Sequence, residues 1–175
     1  MLKSTKESKK SDTLCIINIL EKDAKKSIDE ISKKCGFSRQ KVWRLITELE
    51  KEKLIWGYTA VVDELVKKKK HFTVLVKKKP AAINTDLLQE IIHKKIDDDY
   101  TDIVTIENIY YTHGMCDWVM TFYAVDIYAA KKFTQAIFNR LNYYVEEYTI
   151  IETLFPVRKQ GMKNPHLKEL AEYIS

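Results

Sequence analysis

Side chains that can hydrogen-bond to nucleic acid bases are concentrated in one short stretch, two residues after Gly36. The stretch comprises Ser38, Arg39, Gln40, Lys41, Arg44 and Thr47. Arginine can form paired hydrogen bonds with guanine edges, and glutamine can do so with adenine edges. Since Val42, Ile46 and Leu49 recur at i, i+4 and i+7, the spacing predicts a helix that buries one stripe and exposes the polar residues.

A shorter helix is predicted directly before this stretch. Ser27 can cap a helix over 28–35, with Glu30 at the third position as in a capping box. Gly36 is suited to end that helix in the left-handed conformation. Two helices joined by such a turn are typical of a helix-turn-helix, whose second helix enters the major groove of DNA.

Phosphate contacts are predicted around the same two helices. Ser27 and Ser38 lie at helix N-termini, where backbone N–H groups can hold phosphate. The lysines placed to meet phosphates are Lys25, Lys26, Lys33, Lys34 and Lys53. Trp43, on the second helix, could contact the DNA backbone or be partly buried against the segment that follows, and the sequence leaves both readings open.

The flanking segments complete a predicted DNA-binding domain over 12–63. An earlier helix is expected from Asp12 to about Lys22, and residues 54–63 around Gly57 favour a compact hairpin or wing. Residues 1–11 are predicted to be a disordered basic arm. Residues 64–70, which include a run of four lysines, are predicted to be a linker.

The charge distribution supports this division. Residues 1–79 hold 21 Lys and Arg against 11 Asp and Glu, whereas residues 80–175 hold 9 against 14, giving the net +5. A basic half is attracted to polyanions such as DNA. No apolar run approaches the roughly 20 residues that a membrane-spanning helix needs, so no membrane partner is expected.

The cysteines argue for a reducing compartment. Cys15, Cys35 and Cys116 are odd in number and widely spaced, which disfavours a disulfide framework. Cys15 and Cys35 are expected to pack as small hydrophobic residues. We therefore expect a cytoplasmic protein.

The second half alternates predicted strands and helices. Strands are expected over 71–79, 103–112, 117–125 and 145–157, and helices from 84 or 85 onward and over 127–141. The acidic stretch 97–102 is expected to be a loop. The order β-α-β-β-α-β is that of a ferredoxin-like unit, so the fold class is α+β, with a second domain over 71–160 and a tail over 161–175 with room for a short helix.

The sequence gives little support for a metal site, a nucleotide-binding loop or a catalytic nucleophile. His113 and Cys116 could supply two zinc ligands, but a structural site needs four and no second pair is near. The sequence has neither a glycine-rich nucleotide loop nor a nucleophile elbow. No metal, cofactor or catalytic residue is therefore expected.

Residues 12–63 resemble the winged helix-turn-helix of Lrp/AsnC (feast/famine) transcription regulators. The matching residues are Asp23-Ala24-Lys25, Ser27, Gly36-Phe37-Ser38, Val42, Arg44, Leu49-Glu50, Ile55 and Gly57-Tyr58. Residues 71–160 resemble that family's ligand-sensing domain, including a G-x-x-D turn at 114–117. The sequence departs from the family at Thr13, where an aspartate is usual, and in the unusual side chains of that turn.

The resemblance implies a sequence-specific DNA-binding regulator that forms a homodimer or a higher oligomer. It also implies that a small-molecule effector, such as an amino acid, binds near the glycine-containing turn. The residues this implicates are His113, Gly114, Met115, Cys116, Asp117 and Thr149. Asp117 could accept hydrogen bonds from a ligand ammonium group, or it could simply cap the turn.

Two other functions remain as alternatives. An architectural protein would compact DNA with little sequence preference. Some proteins of this architecture resemble siroheme decarboxylases, which are enzymes, but their Tyr-Asn-x-Trp type sequence is replaced here by residues 115–118, Met-Cys-Asp-Trp. A basic recognition helix would also be unnecessary in such an enzyme.

Overall fold

The computed structural model describes residues 2–80 and 103–167. The chain divides into two compact units, one formed by Met1–Val61 with Gln160–Met162 and the other by Val62–Lys159 with Lys163–Ser175. In the described part, no helix is both long and apolar enough to cross a membrane.

Three helices build the first unit: α1 (Leu2–Leu20), α2 (Ile28–Cys35) and α3 (Arg39–Lys51). They share a core of fully buried aliphatic side chains, which are Ile16, Ile31, Val42, Leu45 and Leu49. Each helix contributes an apolar stripe to this core, as the spacing of these residues predicts. The predicted helix-turn-helix is therefore present as α2 and α3.

Helix α1 begins ten residues earlier than the sequence predicts. Residues 2–11 are helical rather than a disordered arm. This stretch contains neither glycine nor proline and is rich in lysine, which is compatible with a helix. Two ion pairs join α1 to α3, between Lys9 Nζ and Glu48 Oε2 at 3.0 Å and between Asp12 Oδ2 and Lys41 Nζ at 2.7 Å.

Helix α2 has the capping box that the sequence predicts. The Ser27 hydroxyl accepts a hydrogen bond from the Glu30 N–H, and a Glu30 carboxylate oxygen accepts from the Ser27 N–H at 2.9 Å. Gly36 follows the helix with φ of +68°, and its N–H donates to the Ser32 carbonyl. A side chain is disfavoured at that φ, so the glycine permits the tight turn into α3.

The capping box makes the stability of this unit dependent on pH. Hydrogen bonds from the Ser27 backbone, the Lys26 ammonium and the Ser27 hydroxyl lower the pKa of Glu30 from 4.5 to about 2. Because the pKa is lower in the folded state, the stabilisation is complete above about pH 4.5 and is lost as the pH falls toward 2. We expect Glu30→Gln to lower the melting temperature at pH 7 and to lower it less at pH 3.

Thermal unfolding of both proteins at the two pH values measures this difference. Glu21→Gln, which alters an exposed carboxylate just after α1, is the control and should show the same small effect at both pH values. An equal effect of Glu30→Gln at pH 7 and pH 3 would contradict the proposed role of the carboxylate.

The segment after α3 does not form the predicted hairpin. Residues 54–63 contain no strand. Most of their side chains are exposed, including Trp56, and a two-stranded hairpin without a packed face is only marginally stable. The Tyr58 hydroxyl donates to Glu50 Oε1 at 2.9 Å, which holds the segment beside α3.

The cysteine prediction is wrong for two of the three residues, and it no longer supports a reducing compartment. Cys15 on α1 and Cys35 at the end of α2 form a disulfide, with their Cα atoms 6.1 Å apart. Sequence spacing conceals this pair, because 20 residues and a loop separate two positions that helix packing brings together. Cys116 is a free thiol in the second unit.

An antiparallel sheet forms the second unit, with strands β1 (Lys70–Lys78), β2 (Val104–Tyr111), β3 (Trp118–Ala124) and β4 (Val145–Glu152). The strand order is β2-β3-β1-β4, as a ferredoxin-like unit requires. Helix α4 (Ile127–Arg140) is capped by Asp126, whose carboxylate accepts a hydrogen bond from the Ala129 N–H at 2.7 Å. The α+β fold class is confirmed.

One face of the sheet and α4 enclose the main core. Phe72, Val74 and Val76 alternate along β1 and pack against Phe122 of β3 and Phe133 of α4. The residues between them on β1 lie on the opposite face, since side chains alternate along a strand.

The remaining predictions for this unit have mixed outcomes. Strand β4 ends at Glu152 rather than at 157. Two-residue strands β5 (Arg158–Lys159) and β6 (Met162–Lys163) follow, and Glu64–Lys67 forms a 3-10 helix within the predicted linker. The predicted helix from 84 or 85 and the acidic loop 97–102 lie outside the described residues. Residues 161–167 are not helical, and the rest of the tail also lies outside.

Candidate nucleic-acid interface

The exposed face of α3 carries the predicted base-contacting side chains. Gln40, Trp43, Arg44, Thr47 and Lys51 are all exposed and are spaced i, i+3, i+4, i+7 and i+11. This spacing places them on one side of the helix. The opposite side, through Val42, Leu45 and Leu49, holds α3 on the unit's core. We call these five exposed residues the α3 face.

Arg39 lies at the edge of the α3 face. Its Nε contacts Asp29 Oδ1 on α2 at 2.7 Å, while the side chain stays 74% exposed. A base contact by Arg39 would therefore compete with this ion pair. Arg44, nearer the centre of the face, is the better placed of the two arginines.

Lys41 is turned toward α1 rather than outward. Its ammonium pairs with Asp12 at 2.7 Å and lies 3.9 Å from the centre of the Phe37 ring. Both contacts help to fix α3 against the rest of the unit. The structure thus gives Lys41 a structural role beside the predicted contact with DNA.

The two serines have different surroundings. Ser38 caps α3, and its hydroxyl accepts from the Lys41 N–H at 3.2 Å. At Ser27, the N–H and the hydroxyl both donate to the Glu30 carboxylate, at 2.9 Å each. A negative carboxylate thus occupies the N-terminus of α2, so Ser38 is the more favourable of the two for a phosphate.

Charges next to the α3 face are arranged around Glu48. The hydrogen bond from Lys9 lowers the pKa of Glu48, and the charge of Arg44 adds a smaller effect.

Two lysines predicted to contact phosphate lie outside α3. Lys34, on α2, is exposed. Lys53 follows α3 with φ of +57°, a left-handed position outside the helix.

Lys34 is predicted to contact phosphate rather than bases. We expect Lys34→Ala to weaken binding to specific and random duplexes equally and to reduce the salt dependence by about one unit of slope. A titration of both duplexes at several salt concentrations measures this. A loss confined to the specific duplex would contradict the assignment, and Lys131→Ala on α4 is a control of the same residue type.

The predicted set of base-contacting residues lacks two members of the α3 face, Trp43 and Lys51. Trp43 is 60% exposed, which decides between the two readings in favour of an accessible side chain. Trp43 lies three residues after Gln40 and four before Thr47. This helical spacing was the signal that could have placed Trp43 on the same face as both. The Thr47 hydroxyl donates to the Trp43 carbonyl at 3.0 Å and is thus used within the helix.

The predicted effector residues are largely brought together by the β2–β3 turn. His113, Gly114 and Met115 are exposed there, and Gly114 has φ of +143°, which suits glycine. The Thr112 hydroxyl donates to the Cys116 carbonyl at 2.8 Å, closing the turn.

Asp117 is committed to structure within this turn. One carboxylate oxygen accepts from the Lys78 N–H at 2.9 Å, and the other lies 3.8 Å from the Lys78 ammonium. The Asp117 N–H donates to the Val76 carbonyl at 2.8 Å. These contacts favour the capping role over binding of a ligand ammonium group.

Thr149 lies apart from the turn, on β4. It pairs with Leu75, which pairs with Val119 on the other side of β1. Directly paired residues share a face, so Thr149 lies on the face opposite the main core. Strand β1 therefore lies between Thr149, on β4, and β3, the strand that follows the turn.

A polar cluster on that same face was not predicted. Glu107 accepts hydrogen bonds from the Tyr123 hydroxyl at 3.0 Å and the Thr121 hydroxyl at 3.2 Å, and it lies 3.2 Å from His71 Nε2. The Lys159 ammonium lies 3.9 Å from the same carboxylate. The ladder shifts register between Ile106 and Asn108, a bulge that alternation of residue types does not reveal.

The two units define a class of protein: a helix-turn-helix domain followed by a ferredoxin-like domain. A family model described as winged helix-turn-helix DNA-binding matches residues 14–55. No curated protein matches this sequence.

Solved structures give the particular fold. An AsnC family transcriptional regulator from Agrobacterium tumefaciens is similar with a TM-score of 0.63 and 17% identity, over 90% of this chain and 97% of that one. The leucine response regulatory protein LrpA of Mycobacterium tuberculosis has a TM-score of 0.60 and 20% identity, over 85% and 95%. A Neisseria meningitidis transcriptional regulator in complex with L-Met has a TM-score of 0.61 and 14% identity, over 89% and 97%. The chain has the fold of the Lrp/AsnC regulators, which confirms the predicted resemblance.

Proposed function

We propose that this protein is a sequence-specific DNA-binding transcription regulator of the Lrp/AsnC type. The observation that carries the proposal is the α3 face, on which Gln40 and Arg44 stand exposed on a helix fixed by its buried side. A rigid helix with exposed donors is suited to reading base edges in the major groove. The protein acts where the DNA is, in the cytoplasm, and is not an enzyme.

The working form is a homodimer or a higher oligomer. Leu75, Val119 and Ile151 are apolar and half-buried or exposed on the sheet face opposite the main core. A second copy could cover this face and bury these side chains. Two-fold symmetry would place two recognition helices about 34 Å apart, one turn of DNA.

A small molecule regulates the protein through the second unit. The regulator from Neisseria meningitidis was crystallised with L-Met, which favours an amino acid as the class of effector. The residues proposed to contact it are His113, Gly114, Met115, Cys116, Asp117 and Thr149. Since the contacts of Asp117 hold the turn, we expect His113 and Met115, both exposed, to make the more direct contacts.

A titration followed by fluorescence anisotropy tests the proposal. The full chain is titrated against DNA from upstream of its own gene and against a random duplex of equal length, at two salt concentrations. A regulator binds the upstream DNA more tightly at both. Equal, salt-sensitive binding would favour an architectural protein instead. Absence of binding to either would refute both, and a Soret band in the purified protein would then favour the siroheme-decarboxylase alternative.

A further inference from the structure

We propose that Trp43 and Thr47, on the α3 face, form an apolar surface that contacts thymine methyl groups in the major groove. This inference rests on the proposed function and deepens it, because it names the base feature that the helix recognises. Trp43 is 60% exposed, whereas Leu45 and Leu49 on the same helix are buried and Ile46 is partly buried against the core. An exposed indole on a recognition helix has no role in the core of its unit.

The residues around Trp43 indicate which kind of partner can bind over its side chain. Gln40 precedes it by three residues and Thr47 follows by four, so both lie beside it on the helix surface. Arg44 is adjacent, and the local balance of residues 1–79 is strongly basic. Positive charge around an apolar centre complements the major groove, where negative phosphates flank base edges that carry methyl groups.

Thr47 extends the apolar surface. Its hydroxyl donates to the Trp43 carbonyl at 3.0 Å, which uses the polar part of the side chain within the helix. With the hydroxyl proton used in this way, the methyl group of the exposed Thr47 side chain is available to contact a partner, beside the oxygen, which can still accept a hydrogen bond. Threonine methyl groups and aromatic rings both contact the thymine C5-methyl group in the major groove.

Uracil substitution isolates this contact, because deoxyuridine lacks only the methyl group and pairs as thymine does. The probe is the duplex that the full chain selects from a pool with about 20 randomised base pairs. Each thymine is replaced by deoxyuridine in turn. We expect one or two thymines per half-site to be sensitive, with affinity falling about fourfold for each, as expected for one buried methyl group.

Trp43→Ala should weaken binding to the thymine duplex and abolish the difference between thymine and uracil. Trp56→Ala is the matched control, because Trp56 is 94% exposed but lies in the segment after α3. That control should keep the full sensitivity to uracil. Trp43→Phe provides a second readout: quenching of tryptophan fluorescence by DNA should decrease in this variant and persist in Trp56→Phe.

The outcomes separate this inference from the proposed function. Selection of a specific duplex that tolerates uracil at every position would overturn the inference and leave the regulator intact. Sensitivity to uracil that survives in Trp43→Ala would also overturn it. If no sequence is selected, or no DNA is bound, both the inference and sequence-specific regulation are refuted.

Discussion

Reduction of the Cys15–Cys35 disulfide is expected to lower the melting temperature of the helical unit by roughly 10–20 °C. The bond joins residues 20 positions apart on two helices of one small core. Closing a loop of that length removes conformational entropy from the unfolded chain and stabilises the fold by about 3 kcal/mol. Scanning calorimetry of the full chain with and without a thiol reductant measures the shift.

Two variants check that the shift comes from this bond. The double variant Cys15→Ser with Cys35→Ser should melt at a reduced temperature that no longer responds to reductant. Cys116→Ser, which alters the free thiol of the other unit, should respond as the wild type does. If reductant leaves the wild-type melting temperature unchanged, the cross-link does not contribute to stability in solution.

Arg44→Ala is expected to weaken binding to a specific duplex by roughly 1–3 kcal/mol, which is about 5- to 150-fold, with a much smaller loss on random DNA. Arg44 is exposed near the middle of the α3 face, where a guanidinium can meet a guanine edge. Anisotropy titrations of the variant and the wild type against both duplexes measure the two losses.

Arg39→Ala is the informative comparison. Arg39 already pairs with Asp29 at 2.7 Å, so its contact with DNA must replace an existing interaction. We expect a smaller loss than for Arg44→Ala. Equal losses on specific and random DNA for the Arg44 variant would show that this residue contacts phosphate and does not read bases.

Local signals explain why most elements could be predicted from the sequence. Ser27, Glu30 and Gly36 specify the start and end of α2, and each acts through contacts within a few residues. Alternation along β1 likewise follows from a strand with one buried face. The disulfide and the lack of a hairpin in residues 54–63 depend on which distant segments meet, and no local pattern carries that information.

The candidate interface was predictable in type but not in detail. Spacing placed Gln40 and Arg44 on one exposed side of α3, as the structure does. The ion pairs of Arg39 and Lys41 join different helices, so residue type alone could not show that these cations already have partners. Asp117 similarly gains its hydrogen bond from Lys78, 39 positions away.

A hydroxyl-radical footprint of the full chain on DNA upstream of its own gene tests sequence-specific binding through the α3 face. We expect two protected stretches centred about 10 base pairs apart, one for each recognition helix of a dimer, and their loss in Arg44→Ala. Continuous protection without fixed positions, or two stretches that persist unchanged in the variant, would contradict sequence-specific binding through the α3 face.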